Sequence, residues 1–182
     1  MSRLSSTIAS VALIFAGASS LWAQMPTPKP GPELKKLEYF VGTWNLSGDT
    51  KPGPMGPGGK MTMTEHNQWM EGGFFVVSHS TYKSAMGNGS GISFMGYKSD
   101  EKAYSYDEFN STGEAVHSKG NLEGDTWTWA GEEKMGGQSM KGRFTMKIIS
   151  PTAYTFKFEM SMDGSTWNTV MDGKAAKATK TK

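Results

Sequence analysis

The 182-residue chain contains no cysteine. Disulfides, thiolate metal sites and cysteine nucleophiles are therefore excluded together. Branched aliphatics are scarce as well: 7 Leu, 5 Ile and 6 Val, which with 9 Phe make up about 15% of the residues, a level at which disorder competes with folding. Two features oppose disorder. The net charge is only +2, and 6 Trp and 6 Tyr accompany the 9 Phe, whereas disordered chains are charged and poor in rings. With 23 Gly and 8 Pro the chain also falls short of a collagen-like or low-complexity composition. Methionine stands in for the missing aliphatics: after residue 23 it outnumbers Leu, Ile and Val together, 13 to 12. The length fits one domain, and its core has to be built from rings and thioethers.

Long apolar runs are missing too, apart from Ile8 to Ala18, which is too short to span a bilayer as a helix. Preceded by Arg3 and followed by Ala23, a small residue suited to cleavage before Gln24, it reads as a signal peptide over residues 1–23. No cysteine follows, so a lipid anchor is excluded. The mature chain is expected to be periplasmic or secreted, monomeric, and without a membrane span after cleavage. Residues 24–32 form a Pro-rich linker with nothing apolar to bury. At the other end Lys174, Lys177, Lys180 and Lys182 sit among Ala and Thr and read as a basic flexible tail over 174–182. The folded domain is then 33–173. Without those four lysines, Arg3 and Lys29, 13 basic residues face 17 acidic ones, so no nucleic-acid surface is expected.

One short helix is predicted over Glu33–Phe40, where Leu34, Leu37 and Val41 recur at helical spacing after Pro32. Everything beyond alternates with period two between Gly, Asn and Asp clusters. Strands are expected near Trp44–Asp49, Lys60–Trp69, Phe74–Tyr82, Gly91–Tyr97, Ala103–Asn110, Val116–Leu122, Thr126–Glu133, Ser139–Ile149, Ala153–Met162 and Thr166–Asp172. Asp163-Gly164 suits a type I′ turn and Pro151 marks another turn. Lys51 to Gly59, rich in Gly and Pro, is a loop that either rims a cavity mouth or forms a plain hairpin tip. About ten consecutive strands would expose two edges unless the sheet closes, so the expected fold is all-β, an antiparallel up-and-down barrel.

The run Leu37-Glu38-Tyr39-Phe40-Val41-Gly42-Thr43-Trp44 resembles the opening of lipocalin-like (calycin) barrels, in which a short helix leads into Gly-x-Trp on the first strand. Three further stretches, Trp69 to Phe74, Gly91 to Tyr97 and Gly120 to Trp127, strengthen it. Together they resemble a family of bacterial secreted domains of unknown function with a calycin-like barrel, over about Leu34 to Lys174. The resemblance implies the fold and a cavity; it implies no established activity, so no catalytic residue is carried over. Related barrels bind haem through a histidine near the chain end. The three histidines here, His66, His79 and His117, all precede the last two expected strands, so no haem or other cofactor is expected. On physical grounds Gly42 lets the chain turn sharply out of the helix, and Trp44 then lies across the barrel base with its indole N–H aimed at a carbonyl.

Alternation sorts the strands into faces. Met61, Met63, Glu65, Asn67 and Trp69 share one face and should look inward, away from His66 on the other. Met140, Phe144, Met146 and Ile148, then Tyr154, Phe156, Phe158, Met160 and Met162, then Trp167, Thr169 and Met171, continue the inward series with Trp127 and Trp129. The candidate ligand-binding set is Met61, Met63, Glu65, Trp69, Met140, Phe144, Met146, Phe156, Phe158 and Met160. Such a lining suits a small, mainly apolar ligand, because thioethers reshape around varied guests while rings supply area. A second reading is a structural envelope domain whose Met and aromatic core is simply filled. Cu(I) on Met61-x-Met63 or Met160-x-Met162, with His66 or His79 nearby, is a third; parity puts His66 on the opposite face, so no metal is expected. A fourth is a barrel enzyme with Glu65 as general base, its pKa raised by burial and His79 as partner on the next strand, where sharing a face with Phe75 and Val77 suggests burial. No nucleophile triad or phosphate loop accompanies them, so catalysis is not expected. A Glu65 carboxylate paired with Arg143 or a tyrosine hydroxyl is the structural alternative. Tyr104, Tyr106, Asp107 and Glu108 are assigned to the outer wall and rim.

Overall fold

Pro32 cannot donate a backbone hydrogen bond and has φ preset for a helical turn, and it opens a 3₁₀ helix over Pro32–Phe40. Leu34, Leu37 and Phe40 form its buried side. Gly42, at φ +121°, then turns the chain into the first strand, in backbone territory that a Cβ would strain. The computed structural model describes residues 28–53, 56–85, 87–135 and 138–179. The signal peptide expected at 1–23 and Lys180 and Lys182 of the expected tail lie outside the described residues.

Ten strands follow: β1 (Gly42–Thr50), β2 (Gly59–Trp69), β3 (Val76–Ser84), β4 (Gly87–Lys98), β5 (Ala103–Asn110), β6 (Ala115–Glu123), β7 (Thr126–Met135), β8 (Gln138–Ser150), β9 (Ala153–Ser161) and β10 (Asn168–Lys177). Each pairs antiparallel with its sequence neighbours, and β10 pairs with β1, so the sheet closes into an all-β up-and-down barrel without edges. The closing pair corrects the expected end of the domain. β10 continues to Lys177, Ala175 is only 2% exposed, and Lys177 is opposite Trp44 in register. Lys174 and Lys177 are thus strand residues and not a frayed tail, because β1 supplies a long-range partner that local composition does not reveal. The Lys177 ammonium stands 5.2 Å above the Trp44 ring.

The β9–β10 connection differs from a type I′ hairpin. Gly164 has φ +76° but Asp163 is not in the left-handed region; instead its carboxylate accepts from the backbone N–H of Ser165 and Thr166, an Asx-type turn. Those bonds, with hydroxyl donation from Ser161 and Thr166, hold the Asp163 carboxyl below the usual carboxylate range. The wider connection leaves Met162 63% exposed and places Trp167 beneath the guanidinium of Arg143, 4.1 Å from its ring centre, on the outer wall. Neither residue faces inward as alternation suggested. A register shift between Thr169 and Met171 resets the parity, returning Met171 to the interior opposite Phe158 while Thr169 stays outside.

Inside, bulky rings lie over glycines on neighbouring strands. Trp129 covers Gly120, Phe156 covers Gly173 and Tyr82 covers Gly89, and any Cβ at these glycines would overlap the ring. The core concentrates at the helix end. Trp44 is fully buried among Phe40, Tyr39 and Tyr154, and its indole N–H donates to the Phe40 carbonyl at 2.8 Å. Trp127 and Trp129 stack at 5.6 Å beside Tyr104. This plug closes the floor.

Candidate functional site

Above the plug the interior is not filled. A cavity of about 770 Å³ runs up the barrel to the opposite end, where Lys51, Gly56, Gly58 and Glu114 form its rim. That volume falls in the range of small-molecule sites. A core filled throughout by Met and rings, the alternative from sequence, holds only for the floor. The glycine-rich segment between β1 and β2 does reach the mouth, through Gly56 and Gly58.

Eight of the ten candidate ligand-binding residues line the cavity: Met61, Met63, Glu65, Phe144, Met146, Phe156, Phe158 and Met160. Three come from β2 and five from β8 and β9; β1 and β10 lie between and add Leu46 and Met171, so they form one soft wall in which Phe144 and Phe156 stack at 5.7 Å. Trp69 and Met140 do not line it. Trp69 ends β2 at the floor, where its indole N–H donates to Glu38 at 2.6 Å. Met140 is buried near the far end of β8. The Cu(I) pairs are not formed with histidine, since Met162 is outside, His66 is exposed and bonded to Thr43, and His79 is exposed.

The facing wall is polar, and here the assignment of β5 to an outer wall fails. Tyr104 is buried at the floor, its hydroxyl donating to the Glu33 carbonyl, while Tyr106 and Glu108 line the cavity; Asp107 alone of the four points out, to His117 at 2.7 Å. The period-two test that placed Met61 and Met63 applies equally to Tyr104, Tyr106 and Glu108. Their polarity, which suits an outer face as well, is what masks the inward parity. Ser78 and Ser80 on β3 and Ser93 on β4 extend the same wall. In register, Asn67 is opposite Ser78, Ser78 opposite Ser93 and Ser93 opposite Glu108, so one row of polar side chains crosses four strands.

Glu65 and Glu108 face this space together. Burial pushes the Glu65 carboxyl up to about 7, with the Asn67 hydrogen bond opposing and the negative charge of Glu108 adding to the rise. The Tyr106 hydroxyl donates to Glu108 Oε2, and burial first, then Glu108, hold that phenol well above its ordinary range. Tyr154 is likewise raised by burial and by the charge of Glu65. Arg143 does not pair with Glu65; it lies on the outer face, with two bonds to Glu159 at 2.8 and 3.1 Å. His79 is no partner either. It is opposite His66 on the outer face, while Glu65 is opposite Ser80 on the inner one. The sheet itself separates the proposed acid–base pair.

A closed antiparallel barrel of ten strands, plugged by an N-terminal helix and hollow above it, is a lipocalin-like architecture. The chain belongs to a family of proteins of unknown function, DUF1579, whose model matches residues 29–177. Among solved structures it is similar to the crystal structure of Rv2717c from M. tuberculosis, at 11% identity and TM-score 0.57, over 83% of this chain and 100% of that one. That likeness concerns the fold. A looser one, TM-score 0.44 at 12% identity over 80% of this chain and 98% of the other, is to EF1p2_mFAP2b bound to DFHBI and bears on neither fold nor ligand here. A search of curated proteins finds no match. Among the described residues no helix is long and apolar enough to cross a membrane.

Proposed function

We propose that this protein is an exported barrel that holds a small, mainly apolar molecule in its cavity without transforming it. The observation that carries the reading is the cavity of about 770 Å³, open at the end away from the helix and lined on one side by Met and Phe. Thioethers and rings there offer adaptable apolar contact. The non-catalytic part of the reading is supported by the surroundings of Glu65, whose titratable neighbours are Glu108, Tyr106 and Tyr154, while His66, His79 and His117 all sit on the outer face and cannot orient it or share its proton. Arg3, the apolar run and Ala23 support export into a periplasmic or secreted location.

Native mass spectrometry of the mature protein from its own host, beside titration with an environment-sensitive apolar dye, tests this. A bound small molecule or saturable dye emission that the guest displaces is the expected result. An empty mass with no dye binding would overturn the carrier reading in favour of a structural domain. A turnover activity abolished by Glu65→Gln would overturn the non-enzymatic part.

A further inference from the structure

The polar wall has a bias that an apolar guest alone does not explain. Asn67 is 5% exposed and lines the cavity. Its amide nitrogen donates to the Phe40 carbonyl at 3.1 Å and to Glu65 Oε2 at 3.5 Å, and the Phe40 carbonyl fixes which end of the amide is nitrogen. The Asn67 carbonyl oxygen is left buried without a hydrogen-bond partner, a state that costs free energy in a folded protein and calls for an occupant. Beside it the second oxygen of Glu65 has no partner among the described residues, and the same is true of Glu108 Oε1. Of the donors near them, the Tyr106 hydroxyl is engaged on Glu108 and the Ser80 hydroxyl on the Gly91 carbonyl, while the hydroxyls of Ser78 and Tyr154 have no acceptor among the described residues. The open valences of the amide and carboxyl groups are therefore acceptors, three of them, and two belong to acids.

Charge points the same way. Two carboxyl groups face the interior, whereas the lysines that reach the cavity, Lys51 and Lys83, stand at its rim, and Lys51 is paired with Asp172 at 2.8 Å. Gly91 keeps the space between the acids clear. A Cβ there would come within 3.0 Å of Ser80 Oγ and 3.3 Å of Glu108 Oε1, so Glu108 leans over a strand position that carries no side chain. Ser80 is in turn the register partner of Glu65. From this arrangement we infer that the cavity selects a small amphiphile with a protonated primary amine, its N–H donors taken by Asn67, Glu65 and Glu108 and its apolar body laid on the Met and Phe wall. An ammonium supplies three donors and a positive charge to a site with unfilled acceptors and two acids. A carboxylate head meets repulsion, and a hydroxyl head supplies one donor and no charge.

This inference rests on the carrier reading and is separable from it by a series of equal chains. Octylamine, octanol and octanoate are titrated into the purified protein at pH 7 by calorimetry and by displacement of the apolar dye. Octylamine is expected to bind at least about tenfold tighter than octanol, as charge-assisted hydrogen bonds give, with octanoate weakest. In Glu108→Gln and in Glu65→Gln, each checked for native near-UV dichroism, the amine-to-alcohol ratio is expected to fall towards one. Equal binding of amine and alcohol, or octanoate binding tightest, would overturn the amine inference and leave the apolar carrier standing. Failure of every chain to bind overturns both.

Discussion

The two walls of the cavity are built from the same kind of strand and differ in the side chains that line them. The apolar wall, from β7 round through β10 to β2, packs Phe156 at 3% exposure over the bare backbone of Gly173 and stacks it on Phe144. It stabilises the barrel as well as lining it. The polar wall, from β3 to β5, places Ser78, Ser93 and Glu108 where aliphatics would bury more surface, and with Asn67 at its β2 border it leaves a carbonyl unpartnered. A wall that forgoes apolar burial and leaves acceptors open around a cavity fits the proposed binding role, since polar groups that meet a guest cannot also satisfy one another.

Substitutions that break the contrast should act with opposite sign on the two walls. The largest effect is expected for Phe156→Ala, which removes a ring at the junction of core and cavity; about 3–5 kcal/mol of stability should be lost in urea unfolding. Glu65→Gln should do the reverse at alkaline pH. The folded Glu65 carboxyl sits at about 7 against an ordinary 4.5, so between those values the native state holds a proton that the unfolded chain has released. Native stability therefore falls as pH rises through this window, by about 3 kcal/mol once it is passed. The variant should match the parent near pH 4 and exceed it by that amount at pH 8; equal pH profiles would place Glu65 in contact with bulk water. Gly91→Ala sharpens the comparison further. Its Cβ crowds Ser80 and Glu108, with an expected loss of about 1 kcal/mol in thermal unfolding and a reduced amine-to-alcohol ratio. Met63→Leu should be the smallest, about 0.5 kcal/mol, because the volume is nearly conserved in a deformable wall; its signature would be a narrower range of chain lengths bound.

Strand count, the short helix and the inward face of β2 were legible in the sequence, because period-two alternation and glycine punctuation are local properties. The Trp44 plug was legible for the same reason: Gly42 and the helix that precedes it fix where the ring goes. Four assignments changed in the structure. Lys174 and Lys177 became wall when β1 was found to pair with them. Trp167 and Met162 moved outside because an Asx turn at Asp163 and a register shift in β10 changed the parity. His79 proved to share a sheet pair with Glu65 but not a face. Tyr106 and Glu108 turned inward against their chemistry. By itself the sequence determined a cysteine-free, Met-rich, antiparallel barrel, since those features follow from composition and from neighbours a few residues apart. Only the tertiary structure decided that the interior is hollow and two-sided, because convergence of Asn67, Glu65 and Glu108 from β2 and β5 depends on closure and register, which are set by contacts between residues far apart in the chain.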